Sequence, residues 1–309
     1  MNRTGIVIGG GIGKHISFSA LSEKLKEKYG EVILVNSYPE VFFNNPNIYR
    51  NLIPSHPYLY EDYLKNISRK KVEPYENDLY TLEKKHIIEV YAKLLDINYT
   101  PDLLPKIYLT KEEESGAIDY RDNILKKDYI IIQISGGTSY YNPDSAGQKL
   151  SKSRDYSVEK AQTLVDKIIK DHPGFAIIQI GLRTEPLLKN VINMVNLTTR
   201  QIFPLMKYCK TFIVIDSFLG HLSAAFEKKG IVLWGGTDPK KLGYSHNINL
   251  EKVSLTSCPE NHCHRPDTYF ADQETNKIWS CPFDYECMDF DTETIYSAFS
   301  SIVKEPEVK

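Results

Sequence analysis

Asp216-Ser217 stands at the end of an apolar run, Phe212 to Ile215, and is followed by Gly220, His221 and small residues to Ala225. A second apolar run, Ile231 to Trp234, ends in Gly235-Gly-Thr237-Asp-Pro239. The pattern predicts strand, helix N-terminus, helix, strand and turn. In open α/β sheets, ligands bind outside the carboxyl ends of the strands. A helix N-terminus offers free N–H groups and a positive dipole end to an anion. These residue types at these places point to a phosphorylated ligand.

The elements that must position them are legible in the apolar runs. Ile6 to Ile8 reads as a strand, Gly9-Gly-Gly-Ile-Gly13 as a turn, Lys14 to Tyr29 as a helix and Val32 to Val35 as a second strand. A strand–turn–helix–strand unit requires a parallel sheet. Residues 36 to 80 carry repeated prolines and tyrosines and read as short strands and loops with an aromatic lining. Leu82 to Ile97 has helical spacing. Residues 98 to 128 read as an interdomain connection with one strand, Ile107 to Leu109. The grammar restarts with strands at Tyr129–Ile134 and Phe175–Ile180 and a helix from Val158 to Ile169. Thr198-Thr-Arg-Gln201 fits a capping box that opens a helix running to Cys209. Asp291 to Val303 forms a last helix. The strands are continuous apolar runs, as expected where helices cover both faces. The expected organisation is an N-terminal domain over 1–125, a second over 126–290, and a helix with a tail over 291–309.

With 309 residues and a formal net charge of −2, the chain offers no electrostatic case for nucleic acid. No apolar run reaches the ~18–20 residues of a transmembrane helix, and the start carries no signal-peptide core. A cytoplasmic location is expected. The turn at Gly9 fits neither nucleotide motif. Ile8 and His15 break the P-loop pattern, and Lys14 and Asn36 break the dinucleotide one. What remains is a turn that lets a ligand approach closely, with Lys14 and His15 at a helix N-terminus.

Five segments recur in the order of a known family: Ser135-Gly136-Gly-Thr138, Arg154 to Lys160, Gly181-Leu-Arg-Thr-Glu185, Asp216 to His221 and Gly235 to Pro239. Over residues 130 to 240 the chain resembles glycosyltransferase family 9, the heptosyltransferase-like enzymes. The resemblance implies an α/β GT-B fold: two Rossmann-like domains with parallel sheets facing a cleft. It implies a glycosyltransferase that moves a heptose-like sugar from a nucleotide-diphosphate donor, ADP-heptose in the best-known members, to a glycan or protein acceptor by inversion. Ser135 and Gly136 would belong to the donor loop. Asp216, Ser217, Gly220 and His221 would cradle the diphosphate with Thr237 nearby, Arg154 would add charge, and Glu185 would bond the ribose. No catalytic metal is required, because these groups can hold the diphosphate. For His221, a helix-buried histidine satisfied by backbone is the competing reading.

The family pattern has an aspartate after the N-terminal glycine turn as the base for the acceptor hydroxyl. This chain has Lys14 there, a poor base but a possible partner for a leaving phosphate. His15 is the nearest substitute; His56, Glu61 and Asp62 are more distant ones. The departure leaves open a second function, a nucleotide-sugar-binding protein without catalysis.

Four of the five cysteines lie close together, as Cys258-x4-Cys263 and Cys281-x5-Cys287. Two such pairs can make a closed tetrahedral site for a structural zinc or iron. Free buried thiols and disulfides are the alternatives, and Cys209 reads as core.

Overall fold

The computed structural model describes residues 3–136, 152–252, 254–258, 281 and 283–304. The first sheet has four parallel strands in the order β3-β2-β1-β4: β1 (Arg3–Ile8), β2 (Glu31–Asn36), β3 (Arg50–Leu52) and β4 (Ser68–Val72). Its helices are α1 (Ile12–Phe18), α2 (Ser22–Tyr29), α3 (Asp78–Thr81), α4 (Ile87–Leu94) and α5 (Lys111–Asp119).

The second sheet has six parallel strands in the order β10-β9-β8-β5-β6-β7. They are β5 (Tyr129–Ile132), β6 (Ala176–Gly181), β7 (Ile192–Val195), β8 (Thr211–Ile215), β9 (Ile231–Trp234) and β10 (Ile248–Glu251). Its helices are α6 (Val158–Asp171), α7 (Thr199–Tyr208), α8 (Phe218–Ala225), α9 (Pro239–Leu242) and α10 (Thr292–Lys304). Helix α10 packs on α6 and on β8 and β9, so the end of the chain belongs to the layer of the second sheet. No helix among the described residues is long and apolar enough to cross a membrane.

The predicted apolar strands are all present except Ile107–Leu109. There the backbone groups are taken by side chains instead of a ladder: Lys106 N–H donates to Ser19 Oγ, and the Tyr108 carbonyl accepts from Arg200. The helix expected over 14–29 is interrupted at Ser19, whose hydroxyl donates to the Ile16 carbonyl at 2.6 Å. It ends at Gly30, whose positive φ of 72° stops the helix as glycine readily does. The helix expected from Leu82 begins only at Ile87. Lys84 is left-handed, and the His86 imidazole caps α4 by accepting from Ile88 N–H. Residues 98–128 hold a helix that the charged composition hid. Thr110 and Glu113 close a capping box at the start of α5.

One apolar core runs through both halves, from Ile6 of β1 and Tyr91 of α4 to Phe212 of β8 and Trp234 of β9. The halves also meet through polar pairs. Arg200 on α7 makes a two-pronged ion pair with Glu113 on α5, with Nε to Oε1 at 2.7 Å. Lys84 reaches Asp238 at 3.7 Å.

Candidate active site

Between the two sheets lies a cleft of about 700 Å³. The first half lines it with Gly11 to Lys14, Tyr38, Tyr75 and Tyr80. The second contributes the carboxyl ends of its strands, where Gln133, Gly181 and Asp216 follow apolar runs that fix them in place.

Most of the residues singled out for a donor meet here: Lys14, Gly136, Arg154, Glu185, Asp216, Ser217, His221 and Thr237 all line the cleft. Gly136 N–H donates to Asp155 Oδ1 at 3.0 Å, and Arg154 Nη1 donates to the Asp216 carbonyl at 3.3 Å. That bond holds the guanidinium against the end of β8. Glu185 is buried, and its Oε2 has no partner among the described residues. A Cβ at position 181 would collide with that oxygen, so glycine there makes room for the carboxylate. Burial pushes the Glu185 carboxyl up to about 7; a backbone bond from Leu182 works against this, and Asp155 adds to it.

Three of the donor residues have different surroundings from those expected. The Ser217 hydroxyl is occupied. It caps α8 by accepting from Leu219 N–H and donates to Gln133 Oε1 at 2.5 Å. Gly220 lies inside α8 against Val232 and is not part of the cleft lining, and Ser135 is buried behind the lining. Thr237 is buried at the turn before α9, and Asp238 caps that helix through Lys240 N–H.

On the first half, Lys14 is a buried ion-pair partner of Glu73, and its ammonium sits 3.8 Å from the centre of the Tyr75 ring. Its charge is therefore compensated by a residue the sequence reading did not single out. His15 points the other way. It is fully buried against Tyr38 and Phe42, with Nδ1 on the Gly11 carbonyl, and it does not line the cleft. Burial pulls its imidazole below the usual value, so it stays neutral. His56, Glu61 and Asp62 are likewise outside the lining.

His221 is held by side chains where backbone partners were the competing expectation. It is buried, yet one edge lines the cleft. Its Nδ1 lies 3.0 Å from Ser17 Oγ on α1 and 3.0 Å from the Tyr244 hydroxyl.

Of the cysteine cluster, Cys263 lies outside the described residues, as do His262, His264 and Trp279. Cys258, Cys281 and Cys287 are half-buried, and Cys209 is buried in the core as expected. Glu286 accepts from the backbone N–H groups of Thr256, Ser257 and Cys258, which ties that segment to the turn carrying Cys287. These backbone bonds hold the Glu286 carboxyl down at about 2. Among the described residues, no group of three His, Cys, Asp or Glu side chains is arranged to hold a metal ion.

The model of glycosyltransferase family 9 (heptosyltransferase) matches residues 182–270. That bears out the family resemblance over the segment holding Glu185, His221 and Thr237; Ser135 and Arg154 lie before it. No curated protein matches the chain in sequence. A family 9 glycosyl transferase from Veillonella parvula superposes with a TM-score of 0.66 at 13% identity, covering 99% of this chain and 98% of that one. ADP-heptose lps heptosyltransferase II from E. coli gives 0.64 at 12%, covering 97% and 98%. The dodecameric iron-containing heptosyltransferase TibC, solved in complex with ADP-D-beta-D-heptose, gives 0.67 at 12%, covering 98% and 77%. At such identities the likeness establishes the fold: GT-B, two Rossmann-like halves whose parallel sheets face a cleft.

Proposed function

We propose that this chain is a glycosyltransferase that moves a heptose-like sugar from a nucleoside-diphosphate donor to a glycan or protein acceptor, with inversion. The observation that carries the reading is Glu185. A buried carboxylate oxygen without a partner is costly unless a ligand supplies a donor. Ribose hydroxyls are such donors, and Arg154, in the same cleft, suits the adjoining diphosphate. The relatives' names agree with an ADP-linked heptose as the kind of donor.

In an inverting transfer the acceptor oxygen bonds to the anomeric carbon while the bond to phosphate breaks. The electron pair leaves on the diphosphate, and the acceptor proton passes to a base. We assign the base to Glu73, the carboxylate paired with the cleft-lining Lys14; neither it nor His15 is itself in the lining, and His15 is turned inward onto Tyr38 and Phe42. Lys14 holds that carboxylate in place and adds positive charge on the acceptor side.

The Lys14–Glu73 pair also favours a second reading, a nucleotide-sugar-binding protein without turnover, because each group already neutralises the other. One experiment separates the two: a thermal-shift panel of ADP-, GDP-, UDP- and dTDP-sugars, with nucleoside diphosphate release followed for each binder. Stabilisation with release is the expected result. Binding without release in the presence of glycan and protein acceptors would favour the second reading, and no shift with any donor would overturn both. The cysteine cluster remains a candidate for a structural zinc or iron that needs Cys263 as well. Metal analysis of the purified chain tests it, and absence of both metals refutes it.

A further inference from the structure

Four side chains from both halves of the molecule form a buried polar and aromatic group behind the cleft. His221 on α8 has its Nδ1 within 3.0 Å of Tyr244 Oη and of Ser17 Oγ, which comes from α1 of the opposite half. The Tyr244 ring stands perpendicular to His221 at 5.7 Å, and His86 packs edge-on against Tyr244 at 5.2 Å. Ser17 and Tyr244 are both buried.

The proton positions follow from what each group can reach. Ser17 has an alternative acceptor, the Gly13 carbonyl at 3.0 Å. The Tyr244 hydroxyl bonds to His221 Nδ1 and also meets Ser17. Burial pushes the phenol well above its ordinary value, so it keeps its proton. Two hydroxyls thus converge on one nitrogen: either can donate to it, whereas the nitrogen could give a proton to only one of them. Nδ1 then accepts, and the ring proton must sit on Nε2. Burial also pulls the His221 imidazole down to about 4, so the ring is neutral and carries one N–H only. The Cδ2–Nε2 edge is the one that approaches the glycine turn: a Cβ built at Gly13 would lie 3.3 Å from Nε2. Nε2 has no protein partner among the described residues.

We propose that Tyr244, aided by Ser17, is a positioning residue that holds His221 as its Nε2–H tautomer and aims one neutral N–H into the cleft at a diphosphate oxygen. The role of the diphosphate rests on the function proposed above; the tautomer lock does not. The lock also reports on the assembly of the two halves. Ser17 and Tyr244 meet the same nitrogen only while α1 lies against α8.

The test uses the full chain labelled with 15N-histidine. Long-range 1H–15N spectra at pH 7 distinguish Nε2–H from Nδ1–H, and the His221 signals are identified by their loss in His221→Gln. The expected wild-type pattern is Nε2–H, and in Tyr244→Phe it shifts to a mixture or to Nδ1–H. ADP affinity, measured on the same samples, should fall about tenfold in Tyr244→Phe, as expected for one lost hydrogen bond. Wild-type His221 as Nδ1–H overturns the proposal, as does a Tyr244→Phe spectrum unchanged from wild type. If Tyr244→Phe fails to fold, the wild-type spectrum alone decides. Failure of ADP to bind wild-type protein while the Nε2–H pattern stands counts against the proposed function and leaves the lock intact. ADP binding with an Nδ1–H pattern does the reverse.

Discussion

Lys14 and Glu73, 59 residues apart in the chain, are joined as an ion pair at the first half's wall of the cleft. Sheet register brings them together. Ile8 at the end of β1 pairs with Val72 at the end of β4, so the turn after one strand lies beside the residue that follows the other. The Tyr75 N–H donates to the same carboxylate oxygen, and the Tyr75 ring lies beneath the ammonium.

Replacing either partner should have distinct effects. Glu73→Gln keeps shape and should lower transfer roughly 10²–10⁴-fold with donor affinity unchanged, the signature of a lost base. Lys14→Met should weaken donor affinity and turnover together. Steady-state kinetics with the donor found in the panel separates the two patterns. Full activity in Glu73→Gln would remove it as the base.

Glu185 gives a pH signature. Its folded-state carboxyl is raised to about 7, above the ordinary 4.5. The folded state therefore holds a proton that the unfolded chain has released between these values, and stability falls as pH rises through that window. The cost is absent below about 4.5 and complete above 7. Glu185→Gln should raise the melting temperature at pH 8, leave it nearly unchanged at pH 4.5, and weaken nucleotide binding. Equal shifts at both pH values would refute a buried, ionising Glu185.

Gly13 sits where α1 approaches His221 most closely. A Cβ there would lie 2.9 Å from the imidazole Cδ2. Gly13→Ala should cost about 1–3 kcal/mol in urea unfolding despite the better helix propensity of alanine, because overpacking outweighs it. A neutral or stabilising result would mean that the halves separate there without loss.

The Arg200–Glu113 pair should anchor α5 to the second half. Arg200→Met leaves Glu113 without its partner in a half-buried site, and the expected loss is about 1–2 kcal/mol, reduced from the fully buried case by solvent. Amide exchange in α5 should accelerate in the variant. Unchanged protection there would show that the capping box alone holds the helix.

The strands with continuous apolar runs and the cleft-lining residues at their ends were legible because burial on both faces imposes one composition. The capping box at Thr198 announced α7, whereas an equivalent box at Thr110 that opens α5 went unread. Pro101, Pro105 and the acidic run masked the second one. Strand β4, Ser-Arg-Lys-Lys-Val, is mostly exposed at the sheet edge and carries no apolar signature. Missing that strand also hid Glu73, since its meeting with Lys14 depends on pairing between β1 and β4. His15 looked like a base from its place beside the turn, but the helical phase turns it inward onto Tyr38 and Phe42.

The apolar core that passes without a break from Ile6 to Trp234 bears on how this molecule is inherited as a unit. Each sheet has a smaller apolar cluster of its own, but the main filling is shared between them. Cutting the chain between them would expose two raw faces, each prone to aggregate, where many two-lobed proteins would yield two soluble modules. The second half cannot be transplanted onto another partner without carrying Tyr91, Phe18 and their neighbours with it. Exchange of specificity in such a scaffold must proceed through the cleft-lining turns, leaving the seam beneath them fixed.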